Sequence, residues 1–460
     1  MQSFSHVSPA MRIYRHALES VLGMLELADL NRALAVSREW AAAVRSMKTI
    51  SATIERDEWR LCYVGKPFHP LPPIVSIIGS ALLRHIATIQ IKRSDESRTP
   101  LDTASLGLLA QRTPNLTSLW CKLTLTPNEP LILPAKLQSL DLRLDRNYTA
   151  KTINSVLTAL AALPSLSSLW LGLSAFDHDP TSLELGPLAA CRSLTCLDLW
   201  VSPQLTDIQV DLIRSSLGHL RHFSDGWMTS DVLARFLKLP VTARWQDVGR
   251  VIGDARTGEL LLRLPSLTKL DFLSDNEPEL VFDFLPQLPQ LTVLHMEFYD
   301  TEEVPFPAND LVASLLQCIS LMDLSLKYEF TSEQLSCLFA QLKAKGLKKL
   351  AIRRGAIETL RWFAAGPIAQ SLEELTIEFG DLPPSELAHI YGLRRLRILR
   401  LNGCFSPRLD DATLASLSPP TSLLPALTEL FHPCENADGE WVHIERRGPS
   451  FEWMQERRTQ

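Results

Sequence analysis

Residues 194–199 read Leu194-Thr-Cys-Leu197-Asp-Leu199, and Ser202-Pro-Gln-Leu205-Thr206-Asp207 follows them. The hexad Leu-x-x-Leu-x-Leu recurs along the chain. Strong copies begin at Leu137, Leu166, Leu267, Leu291, Leu321, Leu347, Leu372, Leu396 and Leu427. Weaker copies begin at Ile86, Leu116 and Leu220, with Cys121 or Asp225 at the last anchor. A degenerate copy at Val241 fills a gap that is otherwise of double length. Fourteen starts between 86 and 427 give a mean period of about 26 residues. A period this persistent predicts a solenoid, because each unit has one apolar edge and buries it only against its neighbours.

The hexad itself is a short strand whose leucines point inward and whose intervening residues point outward. The following 15 to 20 residues return along the opposite side. Most returns read as helices. Thr152–Ala162 has helical apolar spacing and stops before Pro164, and Thr331-Ser-Glu-Gln334 has the pattern of a capping box. That second helix is expected to run to Lys345 and stop at Gly346, and another to start at Ser385. The return after Leu116 holds Pro127, Pro130 and Pro134 and is expected to be extended. The period and pattern are those of leucine-rich repeats. The expected fold is α/β, a right-handed horseshoe of about 14 repeats with one curved parallel sheet. Its strands are expected near 88–92, 118–122, 139–143, 168–172, 196–200, 269–273, 293–297, 323–327, 349–353, 374–378 and 398–402. The chain divides into a helical module at 11–60, a Pro-rich connector at 61–82, the solenoid at 83–435 and a C-terminal cap or tail at 436–460.

Composition narrows the function. The chain has 460 residues, 46% hydrophobic and 21% charged, with a net charge of −6. That balance gives no global basic field for nucleic acid or an anionic membrane surface. No apolar window reaches the length of a membrane span, and charged residues interrupt 1–35, so no secretory leader is read there. The eight Cys are scattered without zinc spacing and read as reduced, buried small thiols. The expected location is cytoplasmic or nuclear. No phosphate loop, dinucleotide fingerprint, His-Glu-x-x-His or nucleophile elbow is present, so no catalytic residue, metal site or cofactor is expected.

Residues 11–60 lack the hexad and carry apolar residues at helical spacing, read as helices near 12–25, 28–36 and 37–48. Val21-Leu-Gly-Met-Leu25-Glu-Leu27-Ala-Asp29-Leu30 runs on through Val36-Ser37-Arg38-Glu-Trp40. This stretch resembles the F-box motif: an apolar pair, an acidic-Leu step, an Asp-Leu pair, a Val-Ser-basic triplet and a Trp. The Leu-Pro pair that opens the motif is replaced by Arg12-Ile13. Two units, at Leu194 and Leu396, also resemble the cysteine-containing class of leucine-rich repeat, with Ser202 and Cys404 at the Cys position. The resemblance implies a substrate receptor of a Skp–cullin–F-box ubiquitin ligase. Leu18, Val21, Leu22, Leu25, Leu30, Val36 and Trp40 would then form the module that docks on the Skp-type adaptor. An unidentified protein substrate would sit on the concave face. The alternative is a leucine-rich-repeat scaffold or inhibitor with no ligase role, in which residues 11–60 only cap the first repeat.

Hexad positions 3, 5 and 7 face outward from the strands. Position 5 runs Gln90, Trp120, Asp141, Trp170, Asp198 and Ser224, then Trp245 in the degenerate copy, and Trp200 stands at position 7. Trp120, Asp141, Trp170, Asp198 and Trp200 are therefore the candidate partner site, since interfaces favour exposed Trp. The indoles would otherwise stack on each other or lie under the loop at 174–187. An aromatic pocket walled by carboxylates suits a partner segment with an apolar anchor beside a Lys or Arg. A second patch holds Arg353, Arg394, Arg397 and Arg400, read as a salt-bridge ladder or as an anion site.

Overall fold

The computed structural model describes most of 101–402, with short breaks, and strands at 50–67, at 88–90 and between 424 and 457. The motif at 18–40 and the expected helices before 49 lie outside the described residues. The chain divides into two units, Met1–Gly226 and Trp227–Gln460.

In the first unit the strands are β1 Ile50–Glu55, β2 Glu58–Tyr63, β3 Lys66–Pro67, β4 Thr88–Gln90, β5 Leu101–Asp102, β6 Ser118–Thr124, β7 Ser139–Leu144, β8 Ser168–Leu173, β9 Cys196–Val201 and β10 His222–Ser224. The parallel order is β1, β4, β6, β7, β8, β9, β10. β5 pairs with the far end of β6 on the same side as β4. The helices are α1 Thr103–Arg112, α2 Ala150–Ala161 and α3 Asp207–Ser216. Hexad leucines stack in register: Leu119, Leu140, Leu169, Leu197 and Phe223 form one buried row. Cys121, Leu142, Leu171 and Leu199 form the next. Each buried leucine contributes about 1.5–3 kcal/mol of transfer free energy, so the row anchors every strand to both neighbours.

The first edge carries a hairpin. β1 and β2 pair antiparallel, with Ile50 opposite Tyr63, and β1 runs parallel to β4. The boundary expected at 60 falls inside β2, and β3 extends the hairpin into the Pro-rich stretch, with Pro67 at its margin where a missing N–H costs no ladder bond.

The second unit repeats the pattern with β11 Asp247–Ile252, β12 Lys269–Ser274, β13 Val293–Phe298, β14 Asp323–Lys327, β15 Lys349–Arg353, β16 Glu374–Glu378, β17 Ile398–Asn402 and β18 Glu429–Phe431. Each is parallel to the next. Its helices are α4 Ser230–Phe236, α5 Thr257–Leu261, α6 Ala308–Leu315 and α7 Ser332–Gln341. The strands from β12 to β17 follow the expected ranges to within a residue. The capping box forms at Thr331 and Gln334, but α7 ends at Gln341 rather than Lys345. Leu342 leaves helical geometry there with ψ 117° and is fully buried. The returns at Pro367–Gln370 and Pro384–Gly392 are 3-10 turns rather than α-helices.

The degenerate repeat is displaced. The pairing of Asp247 with Lys269 places Trp245 opposite Leu267, the first anchor, so the copy starts four residues later than Val241. Trp245 is buried against Phe236, with ring centroids 5.5 Å apart, and is not an outward residue. The strand then slips between Asp247 and Arg250, where Gly249 takes φ 66°. A bulge of this kind hides the hexad spacing from the sequence.

Beyond β18, where a cap or tail is expected, lies a small antiparallel sheet. It contains β19 Pro433–Glu435, β20 Trp441–Glu445 and β21 Met454–Arg457, and starts three residues before 436.

Candidate functional site

The outward residues of the first unit fall in two columns. One runs Trp120, Asp141, Trp170, Asp198 and is continued in register by Ser224, which is buried. The other runs Lys122, Arg143, Gly172, Trp200. Neighbouring rungs lie about 4.8 Å apart, close enough for long side chains to meet across a rung.

Arg143 is the residue that the position-5 column omits. Its guanidinium carbon lies 5.5 Å from the Trp120 ring centroid and 4.6 Å from that of Trp170. The guanidinium thus bridges two indoles that stand two rungs apart, each contact contributing about 0.5–2 kcal/mol. Trp170 in turn meets Trp200, with centroids 6.3 Å apart and planes tilted by 55°. That separation is within the range of favourable aromatic pairs. The result is a continuous ladder of Trp120, Arg143, Trp170 and Trp200.

Two glycines give the ladder room. A Cβ on Gly172 would stand 2.6 Å from the Trp170 ring, so only the bare backbone lets the indole lie over that strand. Gly226, with φ +86°, packs against the Trp200 ring and takes a backbone conformation that other residues resist. Trp200 keeps 42% of its surface exposed; Trp120 and Trp170 are half-buried.

Asp141 sits under the ladder. Its Oδ1 is shielded from solvent and lies 3.7 Å from Arg143 Nε, beyond hydrogen-bond length. The Trp120 indole N–H, like the Arg143 guanidinium, favours the ionised carboxylate. Burial pushes the Asp141 carboxyl up to about 6; Arg143 and the indole N–H oppose that rise, and the charge of Asp198 adds to it. The thiol of Cys121, buried beside Asp141, is pushed up to about 12 and stays protonated. Cys121, Cys191, Cys196, Cys318 and Cys337 are in no disulfide.

In the second unit the outward face is a ladder of ion pairs. Lys349 Nζ lies 2.9 Å from Glu374, Arg353 3.5 Å from Glu378, Arg400 3.9 Å from Glu374 and Arg250 3.6 Å from Asp271, and Lys327 pairs with Glu297. These residues, apart from Glu378 and Arg400, line a trough of about 300 Å³. Arg353 and Arg400 thus face carboxylates across neighbouring strands. Arg394 and Arg397 are exposed and precede β17.

No family model matches the chain, and no curated protein matches it. Among solved structures, an internalin (inlF) from Listeria monocytogenes is similar at 15% identity, with a TM-score of 0.29, over 91% of this chain and 97% of that one. That overlap is too slight to carry any feature of the internalin across. Among the described residues no helix is long and apolar enough to cross a membrane.

Proposed function

We propose that this chain is a leucine-rich-repeat interaction protein that acts by holding a protein partner on the outward strand face of its first unit. The observation that supports this reading is the ladder of Trp120, Arg143, Trp170 and Trp200, which ends in an indole with 42% of its surface exposed. Outward strand positions need no Trp for folding, whereas indoles and arginines are the residues that dominate binding energy at interfaces. No pair of groups in the ladder has the nucleophile–base geometry of an active site, and the role assigned to the chain is binding.

Affinity capture with the full chain tests this reading. Trp200→Asp is expected to remove a specific subset of the proteins held by the wild type. An unchanged set, from a variant with an unchanged melting curve, contradicts it.

A second reading rests on the F-box resemblance at 18–40. In it the chain works in the cytoplasm or nucleus as the substrate receptor of a Skp–cullin–F-box ligase, and raises the local concentration of target lysines near a conjugating enzyme. Leu25, Leu30, Val36 and Trp40 would form the small helical core that docks on the adaptor. Binding of purified Skp-type adaptor to the wild type, and its loss in Leu25→Asp with Leu30→Asp, is the expected result. No binding to the wild type, or equal binding by a folded double variant, removes the ligase role and leaves the scaffold reading intact.

A further inference from the structure

We propose that the partner segment taken by the first unit is acidic: an extended peptide whose carboxylate meets Arg143 and Lys122, with an aromatic or large apolar residue about three positions away lying on Trp200. The proposal rests on the ladder being a binding surface and adds the chemistry of what binds.

The sequence suggests the opposite charge. Carboxylates interleaved with indoles fit a partner Lys or Arg. In the structure that cationic place is already filled by the chain's own Arg143, which lies against both Trp120 and Trp170. A second cation would have to displace it. Asp141 and Asp198 each keep one carboxylate oxygen shielded from solvent, whereas the Arg143 side chain is 51% exposed, so the charge the surface presents to a partner here is positive.

Three observations carry this further. Among the described side chains only Asp141 pairs with Arg143, and it does so through Nε at 3.7 Å. The guanidinium side chain is still 51% exposed, so its terminal amino groups can meet a ligand carboxylate in a forked geometry. Lys122 stands next to Arg143 in register and has no ion-pair partner among the described residues. The second unit shows the contrast: there Lys349 and Arg353 each face a carboxylate on the next strand.

The spacing follows from the sheet. Arg143 is on β7 and Trp200 on β9, two rungs apart, so about 10 Å separates their strands. A peptide in the extended polyproline II conformation has three residues per turn and rises about 3.1 Å per residue, so side chains three positions apart share a face and lie about 9 Å from each other. The Trp200 indole is flanked by Gly226 and by the tilted ring of Trp170, and 42% of its surface is exposed.

The test is selection from a random peptide display library on the full chain, followed by measured affinities of the enriched peptides for the wild type, Arg143→Gln, Lys122→Glu and Trp200→Ala. Peptides with Asp or Glu about three positions from Trp, Phe or Leu are expected. Their affinity should fall about tenfold or more in Arg143→Gln and weaken with added salt. If Arg143→Gln does not fold, Lys122→Glu carries the same expectation. Enriched peptides that depend on Trp200 but are rich in Lys or Arg overturn the acidic partner and leave the binding surface standing. Peptides whose binding depends on none of these residues overturn both.

Discussion

Asp141 is the residue at which fold and site compete. Its carboxyl titrates near pH 3.8 in an unfolded chain and near 6 in the fold, because burial disfavours the charge more than Arg143 and Trp120 favour it. Below pH 3.8 both states hold the proton and the site costs nothing. Between 3.8 and 6 the unfolded chain ionises first, so stability falls as pH rises, and above 6 the cost is constant. Asp141→Asn is therefore expected to raise the melting temperature at pH 7.5 and to leave it unchanged near pH 3.5, as read by thermal unfolding. It should also release Arg143 for a ligand carboxylate and strengthen binding of an acidic peptide. Equal melting shifts at both pH values contradict this account. At this scale the sequence shows the indoles but hides the cation. Trp120, Trp170 and Trp200 stand out because outward strand positions seldom hold Trp, whereas Arg143 looks like an ordinary solvated charge. Only the neighbouring rungs, with Gly172 clearing space for Trp170, turn it into the centre of the ladder.

The strand and its return form the repeating element. Leu197 is fully buried and stacks between Leu169 and Phe223. Its replacement by Ala is expected to cost about 2–5 kcal/mol, since neighbouring rungs limit how far the gap can close. Equilibrium denaturation of the full chain measures that loss, and a cost below about 1 kcal/mol would contradict the stacked-row account. The hexads made most strands legible because anchor spacing is set locally by the period of two. The repeat at 245–252 escaped because Gly249 and the register slip insert backbone between anchors, and Trp245 replaces the leucine. The returns were less legible. The capping box at Thr331 is a local signal and was readable. The point where α7 stops is set by burial of Leu342, and the 3-10 turns of the later returns reflect short spans between rungs. Both depend on packing that one stretch of sequence does not contain.

At the scale of the molecule, the two units divide polar chemistry unequally. The second neutralises its outward charges within itself, pair by pair across neighbouring strands. The first leaves Lys122 and the outer surface of Trp200 available, although the whole chain is net negative. A surface that is self-satisfied adds little to affinity, while exposed indoles beside arginine supply it. The measurement that bears most directly on the binding role is a pair of readings on Trp200→Ala in the full chain: affinity for a captured partner, and melting temperature. Affinity is expected to fall by about 2 kcal/mol or more, with the melting temperature within about 4 °C of the wild type. A large fall in melting temperature with unchanged affinity would contradict the account and leave the ladder as packing alone.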